Sequence, residues 1–253
     1  MEEFDNLKVG DITDAGVITR IFSKNIGGFI IYEVNNSGRL TYDSVGDIGK
    51  HLSSIEIELT DVNNLLSTSR ERSRFIVAIS GAVRECFLGK TDAAKKKLIS
   101  IKNAIVDYKT TIGRIEYFFG TLGAAIIAIT SLLIVSLFTL NDHLIILKII
   151  FMGVLGGVLS VAINLKSIAI NTISGNREIH LILGATRIII SSISSIIVYV
   201  LIKGGFLLGI IHQQGEYVFY ALGAVSGFSE AFIPNLLKKV DNNKTENAYE
   251  LTE

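Results

Sequence analysis

Arg187 and Glu230 are charged side chains set inside long apolar runs, and any chemistry in this chain is best sought around them first. Ionisable groups at membrane depth are costly, so they face a helix-bundle interior or a watery cavity, where they serve ion paths or structural pairs. Arg187 lies ten residues beyond the basic Arg177, and Glu230 lies eight before Lys238. At 1.5 Å of rise per residue, each then sits roughly 12 to 15 Å from those flanking charges. The matching depths allow the two to pair, within one chain or between chains. Such a pair is either a static bridge pinning two helices or part of an ion path and its gate.

Small and polar residues are concentrated on the same elements. Gly156, Ser160, Asn164, Ser167 and Asn171 recur three or four apart, and so do Arg187, Ser191, Ser194 and Ser195. A hydroxyl and carboxamide stripe on an apolar helix can line a narrow aqueous conduit or can bond a neighbouring helix, and both uses stay open. Gly153-x3-Gly157 and Gly223-x3-Gly227 add the small-residue spacing that lets helices approach closely. The candidate pore or gate residues are therefore Arg187, Glu230, Ser191, Ser194, Ser195, Asn164 and Ser160.

A second cluster is basic. Residues 1–68 hold eleven acids and five bases, whereas residues 69–116 hold eleven bases and five acids, so a neutral total conceals an acidic front and a basic neck. Arg70, Arg72, Arg74, Arg84, Lys95, Lys96, Lys97 and Lys102, with Lys90 beside them, form either a solvated face or a site for lipid head groups or an anionic ligand such as a nucleotide. Enzyme chemistry is poorly supplied. His51, His143, His180 and His212 are dispersed over the N-terminal module and the loops, with no two at metal-ligand spacing and none placed within a span to serve a membrane serine protease. No glycine-rich stretch is followed by the Lys-Ser/Thr of a P-loop. The single cysteine, Cys86, allows neither an internal disulfide nor a cysteine metal cluster, and its helical setting suits a small core residue. No enzyme, metal or cofactor is expected.

The elements that must position these residues are membrane helices. Gly120 to Leu140 contains no charged side chain, and about 20 helical residues cross a hydrocarbon core of about 30 Å. Further apolar runs cover Leu144–Leu165, Ile179–Leu201 and Tyr217–Leu237, while the whole 253-residue chain is 49% hydrophobic with a mean hydropathy of +0.48. Ile126 to Leu140 is apolar all round, which a soluble amphipathic helix would not be. Lys109, Arg114, Lys166, Arg177, Lys238 and Lys239 flank the spans on one side, against Lys148 and Lys203 on the other. The positive-inside rule then puts both termini in the cytoplasm. Residues 1–110 show no cleavable leader, so the first span is expected to insert the chain. Residues 203–216 are expected to lie on the outer interface.

Before the spans the pattern changes to period two. Val9–Ile12, Gly16–Phe22, Phe29–Val34, Arg39–Asp43 and Ser54–Leu59 read as five short strands, with a hairpin turn at Asn35-Asn-Ser-Gly38. Thr60-Asp-Val-Asn reads as the start of a helix running to about Leu88, with Phe75, Ile76, Ile79, Val83 and Phe87 on one stripe. A second helix starts at Thr91-Asp92, faces it with Leu98, Ile101, Ile105 and Ile112, and can run on into the first span. The expected architecture is an α-helical membrane protein of four transmembrane helices with a small N-terminal all-β module and a cytosolic helical hairpin. Residues 1–59 form the β module, 60–113 the hairpin or neck, 114–240 the membrane domain (spans at about 115–140, 144–165, 179–201 and 217–237) and 241–253 a disordered tail.

Two resemblances bear on function. Val9-Gly-Asp-Ile followed by Gly16-Val-Ile-Thr-Arg-Ile resembles the opening of SH3-like or Tudor-like barrels, which bind peptides or nucleic acid through exposed aromatics. Phe22, Phe29, Tyr32 and Tyr42 are such rings here, or else the core of the module. The ending Gly227-Phe-Ser-Glu-Ala-Phe-Ile-Pro234, with GVLGGVLS in the second span and GATRIIISS in the third, resembles small bacterial four-helix membrane proteins. A cytosolic module joined to four spans also resembles membrane effectors of anti-phage systems, such as the channel subunit of the Hailong system. That resemblance implies a bacterial inner-membrane channel, a nucleotide or oligonucleotide signal made by a partner nucleotidyltransferase, and depolarisation of the infected cell. Four short spans rich in small residues suit one subunit of a homo-oligomer, a tetramer by preference, better than a complete transporter. The alternative is a membrane-anchored oligomeric scaffold that recruits a cytosolic partner.

Overall fold

The computed structural model describes residues 6–26, 28–138, 144–169, 177–204 and 216–229. The chain divides into two compact units, Met1–Lys109 and Thr110–Glu253.

In the first unit, β1 (Ile12–Thr13), β2 (Gly16–Asn25), β3 (Phe29–Val34) and β4 (Leu40–Ser44) form one antiparallel sheet in sequential order. Chain reversal between β3 and β4 uses Asn35 and Asn36 at φ +54° and +49°, a left-handed conformation that asparagine tolerates better than most residues. The Asn35 Oδ1 also accepts from the Val17 backbone N–H at 3.1 Å. Register shifts near Arg20 and Ser23 interrupt the alternation of β2, as β-bulges do. Every residue of β3 is buried. Phe29 and Ile31 face the main core, while Ile30, Tyr32 and Val34 make a smaller cluster with Ile18 on the other face.

Four strands form among the described residues, and the fifth one expected is absent. Ser54–Leu59 instead enters α2 (Glu56–Leu65), after a 3-10 turn at Gly46–Gly49 and the short α1 (Lys50–Ser53). A strand would have put Ile55, Ile57 and Leu59 on one face. The helix buries Ile55 and Leu59, four residues apart, and leaves Ile57 77% exposed. Glu56 and Glu58 in its first turn suit the positive end of the helix dipole. The expected single helix from Thr60 to Leu88 is likewise two helices. α2 ends at Leu65, and α3 (Ser69–Phe87) starts afresh from a capping box in which Thr68 accepts from the Glu71 backbone N–H and Glu71 reaches back to Thr68. Gly89, at φ +79°, ends α3 where a left-handed residue is needed.

The main core joins the sheet to the helices: Phe29, Ile31, Ile55, Val62, Ile79, Val83, Leu98 and Ile105 belong to one cluster. Phe29 and Phe87 rings lie 5.0 Å apart, and Tyr42 and Phe87 lie 5.8 Å apart. The β module and the helical hairpin are therefore one unit, and the boundary expected at residues 59 and 60 falls inside α2. The aromatic residues considered as a recognition surface serve this packing. Phe29 and Tyr32 are buried, and Phe22 and Tyr42 are half-buried against the main core.

α4 (Thr91–Phe138) is an unbroken 48-residue helix that supplies residues to both units. With α5 (Leu144–Asn164) and α6 (Arg177–Lys203), it makes three helices long and apolar enough to cross a membrane, which makes this a membrane protein. α7 (Tyr217–Phe228) is apolar but has 12 residues, about 18 Å of helix. The rest of the expected fourth span, from Glu230 onward, lies outside the described residues, as do Asn171, the C-terminal tail and most of 203–216.

α5, α6 and α7 pack against one another at glycines. A methyl group on Gly227 would collide with the Gly153 carbonyl oxygen, one on Gly156 with the Ala224 carbonyl oxygen, and one on Gly153 or Gly157 with the Ser195 or Ser191 hydroxyl. Both small-residue motifs thus fall where backbones meet. α4 meets α6 in the same way, since side chains on Gly120 and Gly184 would strike the Leu181 and Tyr117 carbonyl oxygens.

Candidate functional site

The buried face of α6 carries Gly184, Arg187, Ile188, Ser191, Ser195, Val198 and Ile202. Their spacing of three, four and seven is one helical stripe, and it is polar in the middle. The Ser191 hydroxyl reaches the carbonyl oxygens of Arg187 at 2.9 Å and Gly227 at 3.1 Å. Ser195 reaches those of Ser191 at 2.8 Å and Gly223 at 3.2 Å. Ser226 of α7 approaches Ser195 Oγ at 3.4 Å. Of the two uses open to these serines, the single chain shows the second for Ser191 and Ser195: they bond α6 to the α7 backbone. Ser194, seven residues beyond Arg187, is half-buried.

Arg187 differs from them. It is 8% exposed, and its Nη2 donates to the Ser160 hydroxyl of α5 at 2.9 Å. Its side chain lines an open cavity of about 380 Å³. Tyr117, Ser160, Asn164 and Ser229 supply the other polar walls, and Val161, Ile168 and Phe228 the apolar ones. Asn164 is exposed, and its Nδ2 donates to the Ser160 carbonyl oxygen at 3.0 Å. The Arg114 Nε donates at 3.1 Å to the carbonyl oxygen of Ile168, one of the lining residues. The structure therefore brings together three of the expected pore or gate residues, Arg187, Ser160 and Asn164. Glu230 follows Ser229 in the chain and lies outside the described residues.

Beside this cavity is a pair that the sequence did not announce. His180, expected in a loop, is buried within α6, and its Nδ1 lies 3.0 Å from Glu116 Oε2 of α4. One turn further on, the Thr121 hydroxyl reaches the Gly184 carbonyl oxygen at 3.1 Å. Glu116 and Tyr117 stand where the charged neck gives way to the span, so only the packing of α4 on α6 reveals their partners. His143 and His212 lie outside the described residues.

The basic residues of the first unit fall into two sets. Lys102 pairs with Asp61 at 2.6 Å and Lys95 with Glu58 at 3.8 Å. Arg72 Nε donates to the Leu66 carbonyl oxygen at 3.1 Å, and the Arg74 guanidinium lies 4.3 Å from the centre of the Tyr108 ring. These four brace the unit internally. Arg70, Arg84, Lys96 and Lys97 are exposed and make no ion pair among the described residues. Lys97 lies over Gly81, where a methyl would come within 2.7 Å of its amino group. Cys86 is buried, its Sγ 3.1 Å from the His51 carbonyl oxygen, and burial pushes its thiol pKa up, which suits packing better than reactivity.

No protein family, curated protein or solved structure matches this chain.

Proposed function

We propose that this protein is the subunit of a homo-oligomeric, ion-conducting effector of the bacterial inner membrane, with both termini cytoplasmic and a tetramer as the favoured assembly. One observation carries the reading: Arg187 is nearly buried in a membrane helix, yet its side chain lines an open, partly polar cavity. A guanidinium at that depth is expensive unless water or a counter-charge meets it. In the assembly the cavity forms part of the conduction path, with Arg187, Ser160 and Asn164 on its wall and Glu230 close in sequence. The first unit acts as the sensor. Its exposed Arg70, Arg84, Lys96 and Lys97 offer an anionic ligand a surface that the acids of α2 do not neutralise. A nucleotide or oligonucleotide from a partner nucleotidyltransferase is the ligand that the likeness to anti-phage effectors suggests, with depolarisation of the infected cell as the outcome.

Expression in cells loaded with a potential-sensitive dye tests this reading. Triggered wild type depolarises the cells, and Arg187→Ala or Glu230→Ala alters the response about tenfold, corresponding to about 1.4 kcal/mol on the conduction barrier. A potential that never changes in wild type or variants, with or without a trigger, removes the channel. The second reading, a scaffold tethered by its helices, is favoured by one observation: Ser191, Ser195 and the paired glycines knit α5, α6 and α7 into a tight anchor. It predicts that activity survives replacement of residues 114–240 by an unrelated oligomeric anchor.

A further inference from the structure

We propose that the groove between α4 and α5 is a binding site for one anionic phospholipid, with its phosphate at Lys148 and an acyl chain along the apolar walls. This goes beyond the conduction reading and needs only that the helices stand in a bilayer. Leu132 and Leu133 of α4 and Leu144, Leu147 and Phe151 of α5 line an open space of about 300 Å³. Ser136 also lines it, but its hydroxyl is taken by the Leu133 carbonyl oxygen of its own helix at 2.7 Å. The uncharged walls therefore present hydrocarbon. An unfilled gap between helices forfeits dispersion contacts, and a flexible hydrocarbon chain is what the bilayer supplies to fill it.

Lys148 carries the only formal charge among the residues lining the groove. It is exposed and makes no ion pair among the described residues. Its amino group lies 5.8 Å from the centre of the Tyr220 ring, a contact that attracts a cation without neutralising it. The Tyr220 hydroxyl in turn engages Glu216 at 2.8 Å. Lys148 is also at head-group depth. It lies four residues into α5, about 6 Å along the helix axis. Tyr199 and Tyr220 pack on the adjoining cluster of Ile149, Val198, Ile202 and Phe219, and the Tyr217 ring lies 6.1 Å from Tyr220. Tyrosines gathered at one end of membrane helices mark the interface, where a lysine keeps its stem in hydrocarbon and reaches lipid phosphate with its amino group. A second copy of this chain suits the groove less well. Glu116, Glu178 and Glu216 are the acids among the described residues of the second unit. Glu178, and Glu116 through its contact with His180, belong to the start of α6, whereas Lys148 adjoins Ile149, which clusters with residues near the α6 finish.

The chain contains no tryptophan, so Phe151→Trp places a single fluorophore in the groove. The full-length variant is reconstituted in vesicles of phosphatidylglycerol and phosphatidylcholine in equal parts, with bromine on the acyl chains of one lipid or the other. Brominated phosphatidylglycerol is expected to quench the tryptophan with about fivefold preference over brominated phosphatidylcholine, and adding Lys148→Gln removes the preference. Leu133→Trp, at a wall position 60% exposed, is expected to report the same ratio without disturbing Phe151. Ile190→Trp, on α6 at 53% exposure, is expected to show no preference. Circular dichroism checks that each variant keeps its helices. Equal quenching by the two lipids at both groove positions overturns the site, as does a preference that survives Lys148→Gln or recurs in full at Ile190→Trp. Absence of quenching by either lipid also overturns it, by assigning the groove to protein. The ratio is read without ion flow, so a silent channel leaves the site standing and an active one does not establish it.

Discussion

Single side chains in this protein show how one residue type can do opposite jobs. Serines at 191 and 195 close a helix interface, whereas Ser160, equally buried, turns its hydroxyl toward a guanidinium in an open cavity. Spacing placed all of them on polar stripes, but which stripe faces a neighbour depends on helix packing, and period alone carries no such information. Tyr32 gives a test at this scale. Its hydroxyl donates to Asp43 Oδ2 at 2.9 Å, and burial, reinforced by the Asp43 carboxylate, pushes its pKa up to about 12. The folded state holds the proton more tightly than the unfolded chain. This stabilisation is complete below the ordinary tyrosine value of about 10 and disappears as pH rises through about 12. Urea unfolding of the full chain is expected to show Tyr32→Phe less stable than wild type by about 1 kcal/mol at neutral pH. That difference narrows and then reverses between about pH 10 and pH 12, while a constant difference contradicts the assignment.

Elements were legible where their period was long and their punctuation local. The Asn35–Asn36 turn, the stop at Gly89 and the run of α4 from Thr91 into the first span all follow from neighbouring residues. Ser54–Leu59 was misleading because Ile55, Ile57 and Leu59 satisfy a period of two, while Ile55 and Leu59 also satisfy a helical spacing of four. The core of the first unit selects the second. The break at residues 66–68 was missed for a related reason: the Thr68–Glu71 capping box sits in a stretch whose apolar stripe looks continuous. Thr68→Ala is expected to cost about 1 kcal/mol, read as a lower midpoint in denaturant, and an unchanged midpoint contradicts a capping role. Glycines at helix crossings make a sharper prediction. Gly227→Ala and Gly153→Ala must push α7 or Ser195 away, at about 1–3 kcal/mol each, whereas Gly123→Ala meets nothing within 4 Å. Thermal unfolding in detergent is expected to separate the first two from the third, and equal behaviour of all three refutes the close packing.

At the scale of the whole molecule, the two units, Met1–Lys109 and Thr110–Glu253, correspond to a change in the sequence from period two and charge to long apolar runs. The absence of a boundary inside the first unit was not visible there, because the sheet and the helical hairpin share one core that no local pattern reveals. The basic neck also changes meaning at this scale. Eight cations read as one face, but four are engaged inside the unit and four, Arg70, Arg84, Lys96 and Lys97, are exposed. Replacing Arg84 and Lys97 together by glutamine is expected to raise the amount of anionic trigger needed for depolarisation while leaving thermal stability within about 0.5 kcal/mol of wild type. An unchanged trigger requirement removes this surface from sensing. Conduction past Arg187 is the central claim, and single-channel recording of the purified full chain in planar bilayers tests it most directly. Discrete conductance steps whose size changes in Arg187→Ala are the expected result. A silent bilayer, or steps indifferent to residue 187, contradicts it.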